Sequence, residues 1–233
     1  MENKKYISKN MRRSNVFLVL LMLAVSIARL NAQGQTLQAK PVTTTEGYEF
    51  FVTWLPNGDS RPKDKDLTLQ LLVSSRPVEG HPEITENQVR VEMANNTYKD
   101  YTVKVGTTEI IEVDAQNVYW DAEKGEEEKL IDKGVRVYSK NNVPMTVYST
   151  NQNGGISGDG ATFALDGAHV LPKQALGYEY VVQTASFDRI ATEFVVMSTK
   201  SGRTNVKLSL TTNSRKTNKQ ELNFTFTKAK QIY

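Results

Sequence analysis

Apolar and polar residues alternate along most of this chain with a period of two. In Tyr101-Thr-Val-Lys-Val105 and in Leu222-Asn-Phe-Thr-Phe226, apolar side chains occupy every second position. Successive side chains of an extended strand point to opposite faces, so such a run predicts a strand with one face on a core and one in water. A helix would need a period of 3.6 residues, and no segment makes a convincing amphipathic helix.

About twelve runs of this kind follow one another at a spacing of roughly 8 to 15 residues, which is typical of antiparallel β-sandwiches. Gly, Pro, Asn or Asp residues bound each run, as expected where strands end in turns. We therefore predict an all-β fold built of antiparallel β-sandwich modules. The predicted strands are Tyr48–Trp54, Leu67–Val73, Val89–Met93, Tyr101–Val105, Glu109–Val113, Val135–Tyr138, Met145–Tyr148, Thr162–Leu165, Tyr178–Gln183, Glu193–Met197, Val206–Leu210 and Leu222–Phe226. The glycine-rich segment 151–160 is predicted to be a mobile loop.

Short blocks of sequence recur in the same order along the chain. Gly47-Tyr-Glu-Phe-Phe-Val52 is similar to Gly177-Tyr-Glu-Tyr-Val-Val182, and the blocks Leu71–Ser75 and Val89–Met93 also have similar counterparts later in the chain. A shared order with different loop lengths is what two related β modules would give. Chance similarity between short strand patterns is the alternative.

This duplication suggests a division of the chain into four parts. We assign residues 1–32 to a signal peptide, 33–45 to a flexible lead, 46–175 to a first β-sandwich module and 176–233 to the start of a second module. The second copy looks incomplete, so we expect an open sheet edge and exposed apolar surface near the C-terminus. On this interpretation the natural protein continues past Tyr233, or the reading frame is truncated.

The N-terminus has the pattern of a secretory signal peptide. Five basic residues precede the apolar run Val16–Ala28, which has 13 residues and is too short to span a bilayer. Cleavage is expected between Ala32 and Gln33, with cleavage after Ala28 as the second choice and a retained signal anchor as the alternative. The protein is therefore expected to be exported, either secreted or associated with the cell surface, with no membrane span in the mature chain.

The charge of the mature chain argues against a nucleic-acid partner. Of 29 basic and 26 acidic residues, six basic and one acidic fall within residues 1–32, which leaves the mature chain with a net charge of −2. Binding to phosphates needs a basic face, and the mature chain has no excess of basic residues.

Five blocks in a fixed order resemble a known family. They are Gly47–Pro56 with Leu71–Ser75, Asp132–Ser139, Val143–Asn151, Phe163–Leu165 with Leu171-Pro172, and Leu176–Tyr180. Together they resemble the IgGFc-binding protein N-terminal domain family. The resemblance implies an extracellular all-β module, found in mucus-associated animal proteins and in secreted bacterial proteins. It also implies a binding role, since the animal namesake is associated with antibody Fc.

The sequence offers little catalytic chemistry. Cysteine is absent, which excludes disulfides and thiol nucleophiles. His169 with Asp166 and Ser157 has the composition of a serine triad, but the Gly-x-Ser-x-Gly pattern is missing. We expect no cofactor; the alternative left open is a calcium site using Asp64 and Asp66, or Asp159 with Asp166.

We therefore expect a non-catalytic binding or adhesion module, or a structural spacer, whose partner is an extracellular protein or glycan. Ligand contacts would come from the loops 55–66, 76–87, 117–133 and 151–161. Tyr119 and Trp120, beside an acidic loop, are the best candidates for contact because tyrosine and tryptophan dominate recognition sites. Trp54, which ends an alternating strand, is expected in the core.

A second hypothesis is a secreted hydrolase acting on glycans. Its cleft would be lined by Asp159, Asp166 and the acidic run Glu126–Glu128. Such an enzyme needs two carboxyl groups about 5 to 10 Å apart. A pocket that brings two of these acids together would favour the enzyme over the binding module.

The signal-peptide hypothesis predicts the N-terminus of the exported protein. Protein recovered from the medium or the cell envelope should begin at Gln33, because export cleaves the signal after Ala32. Intact mass together with N-terminal sequencing checks this. A product that retains residues 1–32 would instead indicate a signal anchor.

Overall fold

The structure is a computed structural model. It describes residues 45–55, 67–93, 96–120, 125–126, 129–157, 160–183, 194–211 and 218–232. The predicted cleavage site at Ala32 and Gln33, almost all of the 33–45 lead, and the acids Asp64, Asp66 and Asp159 lie outside these ranges.

The described residues form twelve strands, one short helix and one 3₁₀ turn, which confirms the predicted all-β fold. The strands are β1 Glu49–Val52, β2 Leu67–Ser75, β3 Glu86–Glu92, β4 Tyr98–Lys104, β5 Thr108–Val113, β6 Ile131–Asp132, β7 Val135–Ser139, β8 Met145–Ser157, β9 Gly160–Val170, β10 Thr204–Ser209, β11 Glu221–Phe226 and β12 Gln231–Ile232. The helix α1 spans Ala115–Val118 and the 3₁₀ turn spans Lys173–Ala175. Within the described ranges, no helix has the length and apolarity needed to cross a membrane.

Two antiparallel four-stranded sheets hold most of these strands. The first sheet has the order β1-β7-β3-β4 and the second has the order β5-β2-β8-β9. Buried positions alternate along β2, β3 and β7, as the period of two predicts. β-branched residues are frequent at these positions, where they pack well on a pleated surface.

Buried side chains from both sheets belong to one hydrophobic cluster. The first sheet contributes Phe50 and Val89, and the second contributes Leu71 and Val147. Trp54 also lies in this cluster, as predicted, and its indole Nε1 donates a hydrogen bond to the carbonyl oxygen of Thr150 at 3.0 Å. One cluster shared by two sheets is the arrangement expected of a sandwich.

A buried asparagine crosses the boundary between the two sheets. Asn87 of β3 is fully buried, and its Nδ2 donates to Ser75 Oγ of β2 at 2.9 Å and to the carbonyl oxygen of Val143 at 3.2 Å. Ser139 Oγ of β7 donates to Asn87 Oδ1 at 2.8 Å and accepts from the Val143 amide at 2.9 Å. Each polar group in this cluster is therefore satisfied away from water.

The C-terminal strands make a hairpin and a short pairing. β10 pairs with β11, whereas β12 pairs with β6 through Gln231 and Ile232. Between β11 and β12, Lys230 has a positive φ of 67° and is only 6% exposed. Its Nζ donates to Glu92 Oε1 at 2.6 Å and to the carbonyl oxygen of Met93 at 2.7 Å, which holds the C-terminal turn on the end of β3.

Three local predictions were wrong. Residues 178–183 and 194–196 form no strand, although their composition favours one, and Met197 makes only an isolated bridge with Ile232. Residues 151–160 were predicted to be a loop, but strand β8 continues as far as Ser157, because β9 pairs with it residue by residue. The division into modules 46–175 and 176–233 stays a prediction.

The Lys230–Glu92 contact predicts a stability loss specific to this ion pair. In Lys230→Met the Glu92 carboxylate, about a quarter exposed, loses its closest cation, and we expect the free energy of unfolding to fall by about 2 kcal/mol. The matched variant is Lys207→Met, because Lys207 makes a similar contact to Glu221 at 2.7 Å but with both side chains more than half exposed. It should change the free energy of unfolding much less, because both partners are exposed to solvent.

The same pair predicts the pH dependence of that loss. Burial alone would raise the pKa of Glu92, but the hydrogen bond from Lys230 and the charge of Arg136 outweigh it and leave the pKa lowered. The carboxylate therefore adds stability above its ordinary pKa of 4.5, and this stability disappears as the pH falls through the folded value. We would measure the free energy of unfolding of the wild type and of Lys230→Met in urea, at neutral pH and at about pH 3. The difference between the two proteins should be smaller at pH 3. A difference that is constant with pH would contradict this assignment.

Candidate functional site

The outer face of the second sheet carries a row of apolar and aromatic side chains. Ile110 of β5 lies opposite Leu72 of β2, Leu72 lies opposite Tyr148 of β8, and Tyr148 lies opposite His169 of β9. The row therefore crosses all four strands, and we call these four residues the Tyr148 row. Ile110 is 59% exposed and Tyr148 is 42% exposed.

Polar but mostly uncharged residues flank the Tyr148 row on both sides. On one side lie Ser74, Thr108 and Thr146, and the hydroxyls of Ser74 and Thr108 share a hydrogen bond of 2.7 Å. The other side has Glu112, Gln70 and Thr150 in register across three strands. An apolar strip between hydroxyl and amide groups offers both a stacking surface and hydrogen-bond partners.

Gly167 gives the ring of Tyr148 a place to lie against the sheet. A Cβ atom at position 167 would come within 2.8 Å of both Cε1 and the hydroxyl oxygen of Tyr148. The ring therefore lies over the glycine, which is two residue pairs away from the register position of Tyr148. The His169 ring is next to it, with a distance of 6.5 Å between the two ring centroids. A ring supported from below presents its other side to solvent.

The outer face of the first sheet has a different chemistry. Arg90 makes two hydrogen bonds to Asp100, at 2.6 and 2.8 Å, and its guanidinium lies 3.7 Å from the centroid of the Tyr98 ring. Lys140 donates to the same carboxylate at 2.9 Å. These hydrogen bonds, first from Arg90 and then from Lys140, hold the pKa of Asp100 well below its ordinary range. The charges on this face are largely committed to one another, which makes it a stabilising surface.

The residues of the hypothetical serine triad are not brought together. His169 and Asp166 are three positions apart on β9, so their side chains point to opposite faces of the sheet. Ser157 is nine residues along β8 from Tyr148, the partner of His169, and a strand rises about 3.3 Å per residue. The separation of Ser157 from His169 is thus about 30 Å along the strand.

The described acids do not form a metal site. Among the residues that the structure describes, no group of three or more His, Asp or Glu side chains could hold a metal ion. Of the acids proposed for a hydrolase, Glu126 and Asp166 are described, and Glu126 lies 3.9 Å from Lys133 Nζ. Glu127, Glu128 and Asp159 lie outside the described residues.

The two aromatic residues proposed from the sequence lie in different environments. Tyr119 is fully buried in the hydrophobic cluster, where it follows α1 and forms an isolated bridge with Trp54. Asp114 caps α1 by accepting a hydrogen bond from the amide of Gln116 at 3.0 Å, which fixes the direction of the chain into the core. Trp120 is half-buried. Ligand contact by these residues stays a prediction.

The sequence did not single out the Tyr148 row. Tyr148 was predicted to be in a strand, but its neighbours Gly167 and His169 follow some twenty residues later, beyond a segment that was expected to be a loop. The sequence signal for this pairing is weak, because the glycine-rich residues 154–160 favour a loop and hide the pairing of β8 with β9.

Comparison of the chain with protein-family models, with curated proteins and with solved structures found no match.

The position of Gly167 under Tyr148 predicts a change in ring position without loss of stability. In Gly167→Ala the ring must move away, but only the end of a side chain is displaced, so the free energy of unfolding should change by less than about 1 kcal/mol. The measurement is the ring-current shift of the residue 167 Hα resonance, which should be present in the wild type and smaller in the variant.

Gly134→Ala is the matched control. A Cβ there would come within 2.7 Å of the Lys230 carbonyl oxygen and 2.9 Å of its Cα, which are backbone atoms that cannot rotate away. This variant should be destabilised by about 2 kcal/mol or more. If Gly167→Ala and Gly134→Ala lost the same free energy of unfolding, the Tyr148 ring would not be free to move away from position 167.

Proposed function

We propose that this protein is an exported, non-catalytic β module that binds an extracellular glycan on the outer face of its second sheet. The Tyr148 row supplies the contact, and the hydroxyl and amide groups beside it supply hydrogen bonds. The chemistry of the surface favours a neutral sugar chain, because the residues that flank the row are mostly uncharged.

One observation carries this proposal: the exposed Tyr148 ring of β8 lies over Gly167 of β9 on the outer face of the four-stranded sheet. The face of an aromatic ring has a partial negative charge and attracts the C–H groups on the apolar side of a sugar ring. A ring already held against the sheet loses little conformational freedom on binding. The exposed Ile110 extends the same strip.

The N-terminus supports an extracellular role, because residues 1–32 have the pattern of a signal peptide. The resemblance to the IgGFc-binding protein N-terminal domain family supports binding or adhesion at a cell surface. The wide separation of Ser157 from His169 argues against a serine triad.

The proposal predicts that Tyr148→Ala removes glycan binding. The probes are linear hexamers of glucose and of N-acetylglucosamine, titrated into the mature protein by calorimetry. We expect at least one probe to bind the wild type, and its affinity for Tyr148→Ala to be lower by about tenfold or more, because the stacking surface is gone.

Tyr98→Ala is the matched control, since Tyr98 is the exposed tyrosine of the other sheet and stacks on Arg90. It should bind the probes as the wild type does. If neither hexamer binds, or if both variants bind equally, the proposal is wrong. Trp120→Ala in the same assay tests the contact predicted from the sequence.

The same variants decide between a glycan and an antibody partner. Immobilised immunoglobulin Fc is the second probe, because the family resemblance implies it. Binding of Fc by the wild type with no binding of either hexamer would replace the glycan proposal with a protein partner.

A further inference from the structure

The segment Gly177–Val182 exposes apolar side chains that have the composition of a strand. Tyr180 is 64% exposed, Val182 is 58% exposed and Val181 is 100% exposed. Within the described part of the chain, residues 178–183 make no backbone hydrogen bond to any strand or loop. Such a segment is a ready site for pairing with another strand.

This segment repeats the sequence of β1. Gly47-Tyr-Glu-Phe-Phe-Val52 and Gly177-Tyr-Glu-Tyr-Val-Val182 share four of six residues, and the remaining two pairs are apolar or aromatic. The two copies differ in environment, because Phe50 and Val52 are buried in the core whereas their counterparts Tyr180 and Val182 are exposed. The two segments therefore have similar sequences, and they differ in that only the first pairs with a neighbouring strand.

The partner of β1 indicates what the second copy would bind. β1 pairs with β7 in antiparallel register, with Phe50 opposite Val137 and Val52 opposite Val135. Glu49 of β1 accepts a hydrogen bond from Arg136 Nε of β7 at 2.7 Å. Glu179 stands at the position of Glu49, so an arginine on an incoming strand would find the same carboxylate.

We propose that Gly177–Val182 accepts an antiparallel strand with the pattern of β7, apolar-basic-apolar-aromatic, supplied by another polypeptide. Tyr180 and Val182 would pack against its two apolar residues, and Glu179 would bind its basic residue. Backbone hydrogen bonds provide the affinity in this mode of recognition, and the alternating side chains provide the specificity.

β7 of the same chain cannot supply this strand, because it has no free edge. β7 pairs with β1 on one side and with β3 on the other. A second folded copy of the chain has its own β7 in the same position, so it offers no β7 edge either. We therefore place the occupant, a second strand of the β7 type, on another polypeptide.

The test uses a fluorescent peptide with the sequence of residues 133–141, which contains β7, and the mature full-length chain. Fluorescence anisotropy should show saturable binding. Val182→Asp in the chain should weaken binding by about tenfold or more, because the added strand would cover the new carboxylate. Leu165→Asp is the matched control, since Leu165 is an exposed apolar residue of β9, and it should leave binding unchanged. Tyr148→Ala should also bind the peptide normally, which separates this proposal from glycan binding.

A charge exchange makes the test specific for the register. The peptide with Arg136→Glu should bind the wild-type chain weakly, and the chain variant Glu179→Arg should restore its binding. No binding of the wild-type peptide would overturn the proposal. It would also be overturned if Val182→Asp bound the peptide as tightly as the wild type does. If Val182→Asp abolished self-association of the chain without affecting peptide binding, the occupant would be a second copy of the chain and the proposal would be wrong.

Discussion

The hydrogen bonds of Asn87 hold the two sheets in a fixed relation. A hydrophobic core alone is tolerant of sliding, because apolar contacts have no direction. The amide of Asn87 reaches from β3 to Ser75 of β2 and to the carbonyl oxygen of Val143, and it accepts from Ser139 of β7. If the sheets moved by one residue, these buried groups would lose their partners, at a cost of about 1 to 3 kcal/mol for each unsatisfied group. The register of the apolar layers on both sides therefore follows from one side chain.

With the sheets fixed in this way, the two outer faces differ in what they can do. On the first sheet, Glu49 binds both Arg136 and Lys173, and Asp100 binds Arg90 and Lys140, so that charge is balanced within the face. On the second sheet, the described strand neighbours of the Tyr148 row are apolar or carry hydroxyl and amide groups, with Glu112 as the exception. A ligand that lies on the first face would have to compete with existing ion pairs. A ligand on the second face would displace mainly water, and for this reason we propose the second face as the binding surface.

Much of the fold could be predicted from the sequence because alternation reports which side of a strand is buried. It succeeds for β2, β3 and β7, where one face meets the core. It fails at residues 178–183, since alternation shows that a segment can form a strand but not whether a partner edge is available. It also missed the long β8–β9 hairpin, where glycines lower the strand propensity and only cross-strand pairing reveals the structure. Tyr119 shows a third reason: it follows the helical turn α1 and does not lie in a strand, so alternation does not report its burial in the core.

The way in which the C-terminal turn is attached has a mechanical consequence. β12 is joined to β6 through two residue pairs, Gly134 donates to the carbonyl oxygen of Lys230 at 2.9 Å, and Lys230 binds Glu92. A pulling force that enters the chain at Ile232 would act on these few bonds before it reached the long pairings of the four-stranded sheets. The turn would extend first and lengthen the chain, while the four-stranded sheets stayed folded.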